Sequence, residues 1–219
     1  MTQTSALELS SLLCSRLCHD MLSPVGALSN GLELLADEQD PGMRARCVEL
    51  LEQSARISAD KLKFFRLAFG AAGGFGEAVP VEESRGVVNA LAANSRNVEV
   101  HWAIEDETLP KPAVKVMLNF AAIALDALIR GGTLDIGAEM RDGSAEIVVR
   151  ATGDRIVFDE VIGRALQGEL ASGELSSRTA AAHMIALLAE KDGGGLQYKL
   201  SANALVLGAV LPPPPGMIG

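Results

Sequence analysis

Arg16-Leu17-Cys18-His19-Asp20-Met21-Leu22-Ser23-Pro24 places an imidazole beside a carboxylate, with a guanidinium one turn before it and a proline five residues after it. A neutral imidazole is a good nucleophile near pH 7. Its attack on phosphorus gives a phosphoramidate, which remains a high-energy phosphoryl donor. Such a group has to be exposed if donor and acceptor are carried on other proteins. Asp20 can accept a hydrogen bond from one ring N–H and leave the other nitrogen free. Arg16 can steady phosphoryl oxygens, and Ser23 can add a hydroxyl contact. Pro24 removes a helical hydrogen bond and frees a carbonyl close by. An exposed histidine on a helix is in most proteins a solvated side chain, so the spacing alone does not assign this chemistry.

The elements that would carry these groups are two long helices. At ~100° per residue, Leu13, Leu17, Met21, Pro24, Leu28, Leu32 and Leu35 form one apolar stripe. His19 falls on the far side of that stripe, which predicts a ring pointing to solvent or to a visiting partner. The first helix is predicted from Ala6 to Leu35, with a kink or loosened turn at Pro24 and Gly26. Asp40 is a natural N-cap, with Pro41 at the first position of a second helix that ends near Phe69. Its stripe is Cys47, Leu51, Ala55, Ser58, Leu62, Phe65 and Phe69. Helices joined by so short a turn make an antiparallel hairpin, and a lone hairpin cannot cover both stripes. A two-fold dimer whose hairpins form a four-helix bundle is the expectation; coverage by the C-terminal half is the alternative.

Composition bounds the rest. The 219 residues suffice for one large or two small domains, and 48% are apolar, ordinary for a globular protein. The net charge of −9 argues against general nucleic-acid binding. No apolar run reaches the ~18 residues of a membrane span. The N-terminus lacks the pattern of a signal peptide, so a cytoplasmic location without membrane attachment is expected. Cys14, Cys18 and Cys47 do not suggest a disulfide framework. Cys14, Cys18 and His19 raise the question of zinc, but the thiols flank the apolar stripe and the imidazole faces away, so small core residues are the better reading and no metal site is assigned.

After the joint Gly70-Ala71-Ala72-Gly73-Gly74-Phe75-Gly76, short elements alternate. Helices are predicted over 82–95, 114–129, 159–167 and 177–191. Strands are predicted over 98–104, 134–140, 145–150, 196–200 and 205–211, and the prolines from Pro212 end the sheet. This is the pattern of a two-layer α/β sandwich, one mixed sheet with helices on one face. The division expected is a helical hairpin over 1–72 and an α/β domain over 78–215. His101, His183 and Trp102 read as structural residues.

His19-Asp20-Met21-Leu22-Ser23-Pro24 resembles the H-box of sensor histidine kinases, in the right place on the first helix of a hairpin. The C-terminal half resembles the ATP-binding domain of those kinases, with informative departures. Of the two asparagines in the family's N-box, Asn119 is present and the second is Ile123. The adenine-binding aspartate is Ala151 and the last glycine of that box is Arg155. No Gly-x-Gly run precedes the helix at 178–189. The combination resembles the ChpT-type histidine phosphotransferases of alphaproteobacterial cell-cycle phosphorelays. The resemblance implies a homodimer that takes phosphoryl from the receiver domain of a hybrid kinase onto His19. It then passes that group to response regulators of the CtrA-like and CpdR-like kinds. It implies no nucleotide or metal cofactor on this chain, with magnesium supplied by the receiver. The second helix should run back past His19, so Arg56, Asp60, Lys63 and Phe64, with Arg16, Met21, Leu22 and Ser23, form the expected docking surface. Two rival readings remain: a kinase-derived scaffold that carries no phosphate, and a kinase with an unusual nucleotide site.

Overall fold

A computed structural model describes residues 5–70, 77–95, 97–171, 173–191 and 193–213. Two helices form the N-terminal part: α1 (Ala6–Asp37) and α2 (Pro41–Phe69). Ser5 caps α1 by accepting from the Glu8 N–H at 3.1 Å. Asp40 caps α2 by accepting from the Met43 N–H at 2.8 Å, with Pro41 next, as the turn sequence predicts. Helical structure runs through Pro24 and Gly26 without a break in α1. The pair is antiparallel: Lys61 meets Asp20, and Gly31 meets Leu51. At Gly31 a Cβ would stand 2.9 Å from Leu51 Cδ2, so a larger residue there would push the Leu51 side chain aside.

The C-terminal part starts with β1 (Ala78–Pro80), α3 (Val81–Ala93), β2 (Val98–Ala103), β3 (Thr108–Pro110) and α4 (Lys111–Ala127). It continues with β4 (Gly132–Arg141), β5 (Ser144–Thr152), α5 (Glu160–Leu166), α6 (Ala180–Lys191), β6 (Gly195–Leu200) and β7 (Ala204–Leu211). The sheet order is β2-β4-β5-β7-β6, with β2 parallel to β4 and the remaining pairs antiparallel, which makes it the mixed sheet expected. Alternation does the sorting. Leu134, Ile136, Ile147, Val149, Ala151, Leu205 and Leu207 point into the core, while Val148, Arg150 and Val210 face outward. Val114, Met117, Leu118, Phe120 and Ala121 of α4 fill the layer beneath. β1 and β3 pair as a separate two-stranded ribbon that sequence patterning missed. Each is three residues long and contains a proline, too short to show a period of two. Residues 71–76 of the expected joint lie outside the described residues.

The C-terminal turns of α2 do not stop at one stripe. Phe64, Phe65, Leu67 and Ala68 are all buried, in contact with the core of the C-terminal part through α3 and α4. Leu17 of α1 also packs against that core, and α1 touches α6. Trp102 donates to Asn89 Oδ1 at 3.1 Å, under the Arg85 guanidinium at 5.6 Å from the ring centroid. His101 sits between Asp135 at 2.9 Å and Glu99 at 3.1 Å on the open face of the sheet. The Asp135 and Glu99 hydrogen bonds raise its pKa.

His183 on α6 is different. Both its ring nitrogens are buried without a partner, and burial lowers its pKa. The unfolded chain takes up a proton near pH 6.5, whereas the folded chain does so at lower pH. Stability is therefore retained above pH 6.5 and lost as pH falls through the folded value. In His183→Leu this acid loss is expected to shrink, read as denaturant midpoints compared between pH 7.5 and pH 5 for the two proteins.

Candidate active site

His19 stands on the exposed side of α1, with 85% of its side chain accessible. Its Nδ1 lies 3.2 Å from Asp20 Oδ1. Asp20 Oδ2 in turn lies 3.7 Å from Arg16 Nε, so the acid bridges the ring and the guanidinium along one turn. Nδ1 thus meets the carboxylate, and Nε2 is left facing outward.

The proline shapes the site through the backbone. Pro24 has no N–H to give to the carbonyl of Asp20 four residues earlier. Lys61 of α2 takes that role: its Nζ donates to the Asp20 carbonyl at 2.8 Å. The turn bearing the imidazole is therefore tied to the neighbouring helix. Lys61→Met leaves the half-buried carbonyl without a donor and is expected to cost about 1–2 kcal/mol in denaturant unfolding. Adding Pro24→Ala restores a helical donor, so in a double-mutant cycle the Lys61→Met loss is expected to vanish. Lys61 was legible in principle, because a carbonyl freed by proline needs a donor, but a one-helix wheel does not say which residue of α2 supplies it.

The docking residues expected from sequence divide. Leu22 is 70% exposed, Ser23 is exposed and Met21 is half-buried. Arg56 is exposed and pairs with Glu52 at 3.3 Å; Lys63 is exposed and pairs with Asp60 at 3.6 Å. Phe64 does not belong with them. It is 6% exposed and meets Phe65 and Phe69 edge-on, with ring centroids 5.6 and 6.0 Å away. The wheel assigned α2 a single covered stripe, whereas α3 and α4 cover its last turns from the other side. Cys14 and Cys18 are exposed in this chain rather than core residues, and Cys47 is buried. No group of side chains suited to a metal ion occurs among the described residues.

A cavity of about 630 Å³ opens beside His19, between α1 and the C-terminal part. Arg16, His19 and Asp20 form one wall; Ile123, Asp126, Phe158, Asp159 and Arg178 are among the residues opposite. Asp126 was not anticipated as a site residue. Asp126 is exposed, yet its carboxyl pKa is raised, first by the loss of surrounding water at the cavity wall and also by Asp20, while Arg16, Lys61 and Arg178 pull it down. Of the positions expected from sequence to correspond to the kinase nucleotide box, Asn119, Ile123 and Ala151 are buried. The Asn119 amide donates to the Lys115 carbonyl of its own helix at 2.8 Å, and Ala151 is fully buried in β5.

Residues 81–204 match the family model described as the histidine phosphotransferase C-terminal domain, more than half of the chain. The chain belongs to the histidine phosphotransferase family. Among its relatives, the protein phosphotransferase ChpT of Brucella abortus (strain 2308) is 33% identical over 205 residues, 94% of this chain and 96% of that protein. A solved bacterial phosphotransferase structure superposes with a TM-score of 0.82 at 32% identity, covering 95% of this chain and 98% of that one. A histidine kinase domain from Erythrobacter litoralis is a looser match, with a TM-score of 0.48 at 11% identity, covering 86% of this chain and 95% of that one. No described helix is long and apolar enough to cross a membrane.

Proposed function

We propose that the protein is a cytoplasmic histidine phosphotransferase that accepts a phosphoryl group on His19 from the aspartate of one receiver domain and passes it to the aspartate of another. One observation carries this reading: an exposed imidazole whose Nδ1 is taken by Asp20 while Nε2 is open. With the proton on Nδ1, the Nε2 lone pair attacks phosphorus, the N–P bond forms and the acyl O–P bond of the receiver breaks. The receiver recovers its carboxylate. The N-phosphoimidazolium keeps its Nδ1 proton against Asp20, so no base has to carry a proton away. The reverse step regenerates the same tautomer, which suits a relay.

The residues at the nucleotide-box positions support transfer without ATP. Ile123 offers no ligand atom where the kinase family has its second asparagine, and Ala151 offers a methyl group where an aspartate holds adenine. Magnesium belongs to the receiver in this reading. Hybrid kinases would supply the donor receiver, and CtrA-like and CpdR-like regulators the acceptors. The test is a purified receiver carrying labelled aspartyl phosphate: label is expected on the wild-type chain within minutes, and its absence across a panel of receivers refutes the reading.

The hairpin, roughly residues 1–72, serves in this reading as the dimerising and phosphoryl-carrying domain beside the degenerate 78–215 domain. Leu32 and Leu62 belong to the predicted stripes yet are 59% and 50% exposed in one chain. A second hairpin covering them completes a four-helix bundle. Light scattering is expected to give twice the chain mass for the wild type and a single chain mass for Leu32→Glu combined with Leu62→Glu.

A further inference from the structure

The cavity beside His19 is charged on both walls. Arg16 and Asp20 come from α1, Asp126 from α4, Asp159 from the residue before α5, and Arg178 from the turn before α6. Arg178 Nη2 lies 3.2 Å from Asp159 Oδ2, and 71% of its side chain remains exposed. It is held at one edge of its guanidinium, and its other N–H groups are free to meet an incoming anion. Asp126 lines the same cavity as Arg16, Asp20 and Arg178, and its carboxyl feels the opposed charges of Arg16, Lys61 and Arg178 on one side of the balance and Asp20 on the other.

A phosphoryl group on Nε2 changes this balance. It brings up to two negative charges into a cavity already lined by the three carboxylates of Asp20, Asp126 and Asp159 and the two guanidinium groups of Arg16 and Arg178. Both guanidinium groups have a carboxylate partner, but Arg16 keeps 21% of its side chain accessible against 71% for Arg178. The cation able to compensate from the opposite wall is Arg178, whose planar fork suits phosphoryl oxygens.

We propose that Arg178 is a second phosphoryl-binding residue, facing Arg16 across the cavity, and that Asp126 is the counter-charge against which the phosphorylated state is balanced. The proposal rests on phosphorylation of His19 and adds a role for the C-terminal part: in the same chain, it holds the phosphorylated histidine. Arg178 favours the phosphoryl dianion, Asp126 opposes it, and their replacements act with opposite sign.

The full-length chain can be phosphorylated without any receiver by potassium phosphoramidate, in which the donor N–P bond breaks, ammonia leaves and phosphorus bonds to Nε2. The second ionisation of the resulting phosphohistidine is then followed by 31P NMR. Arg178→Ala is expected to raise that pKa by on the order of half a unit, Asp126→Asn to lower it by a similar amount, and Arg178→Lys to stay near the wild type. Arg178 is exposed and Asp126→Asn is isosteric, so a folding defect does not explain shifts in opposite directions. A wild-type phosphohistidine with Arg178→Ala or Asp126→Asn unmoved, or with both moving the same way, overturns this inference alone. If the wild type gains no phosphohistidine beyond His19→Ala, the reading of His19 as acceptor fails and takes this inference with it.

Discussion

Replacing His19 by alanine is expected to abolish acceptance of label from a phosphorylated receiver, at any concentration and in either direction of flow. The substitution removes the proposed nucleophile and nothing structural, because the ring is 85% exposed and its polar contact is with the adjacent Asp20. Denaturant stability should stay within about 0.5 kcal/mol of the wild type, as for surface substitutions generally. Asp20→Asn provides the contrast. The acceptor nitrogen remains, but the amide no longer selects the tautomer with the proton on Nδ1, and the Arg16 pairing is lost. Its transfer rate is expected to fall by roughly 10–100-fold, in the range seen when an orienting hydrogen-bond partner is removed. Label on His19→Ala equal to the wild type would place the acceptor elsewhere. Full transfer rate in Asp20→Asn would show that the 3.2 Å contact does not orient the ring. Rapid-quench measurements with one receiver separate these outcomes.

Phe64→Ala is expected to destabilise the fold by about 3–5 kcal/mol, the range for emptying a buried aromatic site. Phe64 is 6% exposed and anchors a cluster with Phe65 and Phe69 where α2 meets α3 and α4. The loss should appear in the denaturant midpoint of the isolated protein, with no partner present. Leu22→Ala is its opposite: at 70% exposure it should leave stability nearly unchanged and weaken receiver binding instead. If Phe64→Ala proved neutral in stability but poor in receiver binding, the aromatic would be a docking residue after all and the packing of α2 on the C-terminal part would be wrong.

The two residues mark the limit of what the sequence disclosed. Periodicity placed His19 correctly because α1 has a single stripe near the site and the ring lies opposite it. The same reasoning misplaced Phe64 because a helix wheel records which residues are apolar but not how many neighbours surround the helix. Long amphipathic stretches and alternating strands were legible from sequence to within a few residues, including Asp40 and Pro41 at the start of α2. The ribbon of β1 and β3 was not, since its pairing lies in tertiary contacts and not in any local period. Within the candidate site, His19, Asp20 and Arg16 are neighbours along one helix, so spacing sufficed to foresee that they meet. Lys61, Asp126 and Arg178 reach the same place from three other elements. Only the antiparallel hairpin and its packing against α4 and α6 bring them together.

The lysine that answers for the missing helical bond has an entropic consequence. The ring-bearing turn is fastened to two helices at once, so its angular wobble is restrained before any partner arrives. Part of the ordering cost of docking is then met during folding, which leaves more of each encounter's contact energy to hold the complex. A backbone turn held in this way leaves the exposed ring, bonded at one nitrogen, as the part that adjusts to successive visitors. On the proposed function, receivers that exchange phosphoryl with His19 all meet that same turn and must therefore share a common geometry around their own reacting carboxylates.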